Sequence, residues 1–443
     1  MSLSIFLSRR LGGNALAKLA SELVGRVATF GLSVYVANRL GERAFGAYNY
    51  GLALGFVLAQ LADMGLQVLM AREVAIAGRG AQPLVARALR LKTGLAALVV
   101  TLLLVLRGGR PAAEQTAVLF LGLAMLAQTF LEFAAYVYRG QQRVMREAWI
   151  LTAARLLTAA LAGALLWQGR GLAEVGAAYL LAIGAVALWA LWSLQAKGWF
   201  RGQARDRTSE RQDTRSAENR QQHRTSYAAL LREALPLGIA IFLSIGYTRV
   251  AVFLLEYRLG TVAVAQFSAA QRLVEPAQIV PAALLAAVFP AFSTALHTDR
   301  DEARRLALGA TLLLALGGAG AALFFWFGAP WLIPVLYGES FVESVVVLKF
   351  LGLSALPAFV NYNLTHILIA RGQQLFSSVF VGAMLVLHVV LTWTLIPALG
   401  ALAPALSVTF AELILLLCCT ATLLLTGTKI REQRIADAVT LYE

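Results

Sequence analysis

Charge is scarce in this sequence, and so are the residues that carry out covalent chemistry. Of 443 residues only 14% are Asp, Glu, Lys or Arg, where a soluble chain carries about a quarter. That deficit excludes an ordinary water-soluble globular domain. The four histidines (His223, His297, His366 and His388) are scattered, so none of them falls at a spacing that suits a metal site. Cys418 and Cys419 are adjacent inside an apolar run. Vicinal cysteines rarely pair with each other, and both read as buried thiols. There is no Walker-type glycine loop and no pair of carboxylates on a long outer loop. These absences argue against an enzyme and give no reason to expect a metal or an organic cofactor.

What the chain has in abundance is apolar residues, 59% of the total, with a mean hydropathy of +0.71. They come in long runs without strand-like alternation, which predicts helices rather than a lipid-facing barrel. Twelve runs reach the 20 or so residues that a bilayer requires: 15–39, 45–70, 88–107, 112–138, 147–168, 172–195, 233–257, 262–288, 306–328, 345–370, 374–397 and 400–427. The expectation is an all-α, multi-pass membrane protein of twelve transmembrane helices. Arg9 and Arg10 precede no separate apolar segment with a small-residue cleavage site, so the first span is expected to act as its own insertion signal. Spans 3, 6, 9 and 11 are almost free of charge away from their ends and read as lipid-facing.

Lys and Arg concentrate in alternate loops, which by the positive-inside rule places both termini in the cytoplasm. The net charge of +14 is thereby a topology signal, and nucleic acid is not an expected partner. Tryptophans fall near predicted span ends: Trp167, Trp326, Trp331 and Trp393 outside, and Trp149, Trp192 and Trp199 inside. That is the distribution of an interfacial belt.

The one sizeable hydrophilic segment, 196–232, divides the chain. Its middle, Arg201 to Arg224, almost lacks apolar residues and cannot bury a core. It reads as a flexible cytoplasmic linker whose basic residues could also hold anionic lipid headgroups. The resulting plan is a six-helix bundle over 1–195, the linker, a second six-helix bundle over 233–428 and a cytoplasmic tail over 429–443. Two internal matches suggest duplication. Arg39-Leu40-Gly41 ends the first span as Arg258-Leu259-Gly260 ends the seventh, with Tyr48 and Phe267 at the same distance beyond. Arg139-Gly140-Gln141-Gln142 recurs as Arg371-Gly372-Gln373-Gln374 after the fourth span of each half. Even-numbered halves that both begin inside are parallel repeats, related by a pseudo-two-fold axis along the membrane normal.

The functional reading rests on charges inside the spans. Lys18, Glu22 and Arg26 recur every four residues in the first span, so they share one helix face. A charge in hydrocarbon costs roughly 3 kcal/mol or more, so that face must look into a bundle or a hydrated cavity. Arg155, Arg249 and Arg272 are also embedded, as is Lys349. Guanidinium groups stay charged and bind phosphate bidentately, so Arg26, Arg155, Arg249, Arg272 and Lys18 are the candidate ligands for an anionic substrate. Local pairing, Arg26 with Glu22 and Arg272 with Glu275, is the competing reading; Arg155 and Arg249 have no acid three or four residues away. Asp63, beside Gln60 and Gln67, and Glu22 are candidates for coupling transport to a Na⁺ or H⁺ gradient, although Asp63 could equally balance a nearby arginine. Asn361, Asn363 and His366 could contact sugar hydroxyls, or serve helix packing instead. Pro236, Pro276, Pro281, Pro290, Pro357 and Pro404 mark places where helices can bend, with Pro290 expected to end span 8.

The stretch Ala62-Asp63-Met64-Gly65-Leu66 with Arg72-Glu73-Val74-Ala75 resembles the end of the second span of bacterial polysaccharide flippases. These are the O-antigen and exopolysaccharide transporters of the multidrug/oligosaccharidyl-lipid/polysaccharide exporter superfamily. Phe267, Arg272-Leu273-Val274-Glu275-Pro276, Pro281 and Phe289-Pro290-Ala291-Phe292-Ser293 are similar to their eighth span. Arg371-Gly372-Gln373-Gln374, Ile396-Pro397 and Gly400 to Ala405 are similar to the last loop and spans. The resemblance implies a MATE-like fold with a cationic central cavity and a place in the bacterial cytoplasmic (inner) membrane. It implies translocation of an undecaprenyl-pyrophosphate-linked oligosaccharide by alternating access, with polysaccharide polymerase and glycosyltransferase partners. Ala251 stands where many relatives carry an acid in span 7, which moves the search for a coupling acid to span 2. A drug or metabolite exporter of the same superfamily is the alternative and would favour an acidic cavity. A membrane-embedded glycosyl-transferring enzyme is discouraged by the short outer loops.

Overall fold

The computed structural model describes residues 9–109, 111–200 and 227–440, and among them every regular element is a helix. The elements are α1 (Arg9–Asp63), α2 (Leu66–Ala77), α3 (Gln82–Leu106), α4 (Ala112–Gly140), α5 (Val144–Trp167), α6 (Leu172–Ala196), α7 (Tyr227–Leu259), α8 (Thr261–Val274), α9 (Ile279–Thr298), α10 (Arg300–Tyr337), α11 (Glu343–Leu353), α12 (Ala355–Ala370), α13 (Gln374–Leu399) and α14 (Ala403–Thr440). An all-helical result follows from the solvent. Hydrocarbon offers no partner for a backbone N–H or C=O, so a spanning segment must satisfy its own.

Nine stretches among the described residues are long and apolar enough to cross a membrane. They do not map one to one onto the twelve expected spans. Leu66–Leu106 and Val379–Leu425 each run across a glycine break, and α1 is not one of the nine. The outer surfaces fit a lipid solvent. Along α10, Leu308, Leu312, Leu316, Leu323 and Phe327 are exposed, an apolar area that a water-soluble protein would not leave bare. Trp149, Trp167, Trp192 and Trp331 are exposed as a belt requires. Trp199 departs from it: this side chain is buried.

The chain forms two compact units, Met1–Ile245 and Gly246–Glu443. In the first, α4 is the central helix, with α1, α2, α5 and α6 packed around it. Small residues set the closeness of α1 and α4: a Cβ added at Gly55 would lie 2.6 Å from the Cα of Gly122. Gly51 and Gly55 therefore form a small-xxx-small face of the kind that lets membrane helices touch backbone to backbone. Tyr48 and Tyr179, from α1 and α6, share a buried hydroxyl hydrogen bond of 2.5 Å. In the second unit α10 packs on α11 and α12, and α14 on α12 and α13. Its core gathers Phe292, Leu364, Leu368, Met384, Leu415 and Cys419. The N-terminus of α10 is capped by Asp299, whose carboxylate accepts from the amides of Asp301 and Glu302 at 2.9 and 3.1 Å, as an orphaned first turn requires.

One of the two repeat matches is also a structural match. Gly41 (φ 79°, ψ 176°), at a kink that divides α1 into two helical segments, and Gly260 (φ 82°, ψ −171°), between α7 and α8, share the same backbone conformation, which a side chain would strain. Tyr48 and Phe267 are both buried beyond it. The Arg-Gly-Gln-Gln match does not hold in register. The left-handed residue after α4 is Gln142, whereas after α12 it is Gly372, two places earlier in the tetrapeptide.

Other expectations shift as well. Helix α7 begins at Tyr227 and carries Pro236 inside it, and α9 continues through Pro290 to Thr298. Tyr227 to Arg232, within the stretch read as linker, are helical; Arg201 to Arg224, with His223, lie outside the described residues. Helix α14 runs to Thr440, through much of the stretch read as a tail.

Candidate functional site

The charged face of α1 is turned towards α5. Thr152 of α5 donates to the carbonyl of Ser21 at 3.0 Å, which fixes the two helices side by side. At one end Lys18 donates to Glu147 at 3.4 Å and lies 4.0 Å from Glu22. Glu147 is fully buried and also accepts from Arg139 of α4, through Nε at 3.0 Å and through Nη2. Three helices are thus pinned by one carboxylate. Lys18, an expected phosphate ligand, is thus part of an ion-pair network in this arrangement.

Further along the same face stand Arg26 and Arg155. The Arg155 side chain lies across Gly25: a Cβ there would be 2.8 Å from its Cδ and 3.3 Å from Nη1. Gly25 is the gap in α1 that admits the guanidinium. Arg26 is exposed and Arg155 half-buried. The charges acting on Arg155 are Arg26 first, then Glu22 and Glu132. The two guanidinium groups come from neighbouring helices, and Glu22 and Glu132 are also within electrostatic reach of Arg155.

Asp63, the expected coupling acid, has a different partner from the arginine weighed for it. Its Oδ1 accepts from Lys92 of α3 at 2.5 Å, and both side chains are 0% exposed. Lys92 also sits 5.5 and 5.9 Å from the ring centroids of Phe130 and Phe133, so aromatic faces help to hold its charge. Glu132, bonded to Gln128 at 3.1 Å, adds a third ionisable group to this buried interior. Among the described residues Asp63 Oδ2 has no hydrogen-bond partner.

The second unit has its own charged groups. Arg249 of α7 donates to Glu275 at 3.1 Å. Pairing of Glu275 with Arg272 was the competing reading from spacing; Glu275 also accepts from Arg249, because α7 and the turn after α8 come together there. Gln271 donates to the Thr248 carbonyl at 3.1 Å beside it. Arg272 itself is half-buried in the last turn of α8.

Deeper in that unit, Glu412 of α14 accepts from the Tyr247 hydroxyl at 3.0 Å and from the Asn361 amide at 2.8 Å. His388 of α13 lies 5.5 Å, ring to ring, from Tyr247 and meets Ser407 at 2.8 Å. Asn363 is buried and donates to Thr311 at 2.8 Å. Asn361 and Asn363 thus serve helix–helix contacts on opposite sides of α12. His366 packs on Tyr362 and Phe289 and keeps part of its surface exposed.

Lys92, Glu147, Arg139 and Tyr247 are absent from the residues singled out from sequence. Lys92 follows Arg90 at a span end, where a lysine reads as snorkelling to the interface. Glu412 is an acid inside an apolar run, and its partners lie on two other helices, α7 and α12. Among the described residues no group of three or more His, Cys, Asp or Glu is arranged to hold a metal ion.

No protein of curated function matches the chain. Solved structures of transporters do match it in fold. A multidrug resistance MATE family transporter of the MOP superfamily, in an inward-facing conformation, gives a TM-score of 0.72 at 16% identity, covering 92% of this chain and 98% of that one. The lipid II flippase MurJ, in an inward closed conformation, gives 0.67 at 12% identity, covering 92% and 87%. A MOP superfamily transporter from Pyrococcus furiosus gives 0.59 at 16% identity, covering 93% of each. At such identities the likeness is one of fold. The family model for polysaccharide biosynthesis proteins matches residues 11–296, well over half of the sequence, and this multi-pass membrane chain belongs to that family.

Proposed function

We propose that this protein is a flippase that moves an undecaprenyl-pyrophosphate-linked oligosaccharide, an O-antigen or exopolysaccharide repeat unit, across the bacterial cytoplasmic membrane. The observation that carries the reading is the Arg26–Arg155 pair. The two guanidinium groups, one exposed on α1 and one half-buried on α5, repel each other, and the half-buried one is costly to desolvate. A phosphate group placed between them offsets both costs through charge-assisted hydrogen bonds. Family membership supplies the context of polysaccharide assembly, and MurJ, whose fold is shared, is a flippase for lipid II. A site suited to drug cations would present acids, and here the α1–α5 face presents arginines.

In this mechanism no covalent bond changes. The arginines compensate the headgroup for lost water, the site opens alternately to the two membrane faces, and the lipid tail stays in the bilayer. Arg249 and Arg272 are proposed as further anion contacts once Glu275 releases Arg249, and His366 as a sugar contact. Both termini are proposed to be cytoplasmic. Coupling to Na⁺ or H⁺ would draw on Glu22 or on Asp63, the latter after its separation from Lys92.

Flipping of a polyprenyl-pyrophosphate-linked oligosaccharide in proteoliposomes tests this. Each charged hydrogen bond is worth about 1.5–3 kcal/mol, so Arg26→Gln/Arg155→Gln should slow transport by at least about tenfold. Unchanged transport in the double variant would reject the site. Absence of flipping by the native protein would reject the function, and dye export by it would favour the drug exporter.

A further inference from the structure

The first unit contains a second cationic site, away from the α1–α5 face. A cavity of about 510 Å³ opens where the α2–α3 connection, the α4–α5 connection and the residues after α6 meet. Each of the three segments contributes a cation to its lining: Arg79, Arg143 and Lys197. Among the described residues no carboxylate lines it.

The walls are firm. Gly140, in the last turn of α4, lies against α2 so closely that a Cβ there would be 2.6 Å from the Ala71 carbonyl and 2.7 Å from Val74 Cβ. Trp199, the buried exception to the tryptophan belt, forms another wall. Lys197 is held in place by Tyr138: its Nζ is 3.4 Å from the hydroxyl and 5.1 Å over the ring. Tyr138 is itself anchored to Ser193. At Gln141, which also lines the cavity, the side-chain amide nitrogen is buried without a hydrogen-bond partner among the described residues. A buried donor left unmade is destabilising, and three cations lining one cavity with no acid among the described residues repel one another. Both penalties are relieved by a single anionic acceptor.

We propose that this cavity binds the phosphate of an anionic membrane lipid headgroup. The chemistry required is that of any phosphate group, and two observations favour a lipid as its source. The cavity is many times the size of one phosphate and within the range of headgroup-sized ligands. Its lining is also continuous in sequence with exposed apolar residues, Ile76 beside Ala75 and Trp192 shortly before Lys197, so acyl chains have a surface to follow. The three connections are those that the Lys/Arg distribution assigns to the cytoplasmic side, where anionic lipid attracts basic groups. The site is independent of the substrate reading above and would persist if that reading failed.

The test uses the full-length protein in nanodiscs of phosphatidylcholine with and without phosphatidylglycerol, with retained lipid counted by native mass spectrometry. Each cation removed should weaken phosphatidylglycerol retention by about fivefold. Arg143→Gln should therefore lose it in part, Arg79→Gln/Arg143→Gln/Lys197→Gln should lose it almost wholly, and Arg143→Lys should keep most of it. Melting temperature in pure phosphatidylcholine identifies a variant that fails to fold, in which case the Arg143→Gln result decides. Equal retention by native and Arg143→Gln protein would overturn the proposal. Stabilisation by inorganic phosphate alone as large as that by phosphatidylglycerol would overturn the lipid assignment.

Discussion

Lys92→Met is expected to lose about 3–5 kcal/mol of unfolding free energy, because it strands the Asp63 carboxylate in a fully buried site. Both side chains are wholly buried and meet at 2.5 Å, and Asp63 has one oxygen already unbonded. Removing the lysine leaves that carboxylate either charged in an apolar interior or protonated at a cost. Glu132, which senses both partners, adds a second acid to the same space. The double variant Asp63→Leu/Lys92→Met should recover most of the loss, since apolar groups of similar size often replace a buried pair without penalty. Unfolding in mixed micelles, followed for the native, single and double variants, gives the coupling energy directly. If Lys92→Met proves as stable as the native protein, the buried ion pair does not exist. Transport by the double variant then addresses a separate point. Retained flipping would remove Asp63 from the coupling machinery and leave Glu22 as its candidate.

Gly65→Ala is expected to destabilise by roughly 2–5 kcal/mol, from a left-handed backbone cost of about 1–2 kcal/mol and overpacking of about 1–3 kcal/mol. Gly65 sits at φ 81° in the break between α1 and α2, next to Met64 at φ 46°. A Cβ on it would lie 2.6 Å from the amide nitrogen of Gly238 and 2.7 Å from the carbonyl of Ala234. Those are backbone atoms of α7 and cannot swing aside. The contact is reciprocal, because a Cβ on Gly238 would meet the Met64 carbonyl at 2.6 Å. Gly163→Ala is the control. It lies within α5 with nothing inside 4 Å and should leave the melting temperature unchanged or raise it. A Gly65→Ala protein that melts with the native one would show that the break can open without cost. That outcome would remove the argument that α7 is clamped on the α1–α2 break.

Much of the fold was legible because hydrocarbon imposes few choices. A run of apolar residues long enough to span has to be helical, and the breaks fall at glycines such as Gly41 and Gly260, whose backbone no side chain suits. The site was legible in part. Lys18, Glu22 and Arg26 do share a face, since the four-residue spacing leaves a helix no alternative. Arg155 joins that face because Gly25 leaves room for it, a relation between α1 and α5 that neither stretch carries alone.

Partner choice was the recurrent miss, and for one reason. Spacing along a helix ranks acids by distance in sequence, whereas packing ranks them by distance in space. Glu275 accepts from Arg249 of another helix. Asp63 takes Lys92, and Lys18 takes Glu147, across α1 to α3 and α1 to α5. Asn361 turns to Glu412 from the last helix.

By itself, then, the sequence determined that the protein lives in a membrane, that it is built of helices and which residues bring charge into them. Those follow from transfer free energies and helical periodicity, properties of each segment taken singly. Which charge neutralises which, and which are left to meet an anion, was decided only by the tertiary structure. Electrostatic energy depends on separation and burial, and both are set by how one helix lies on the next.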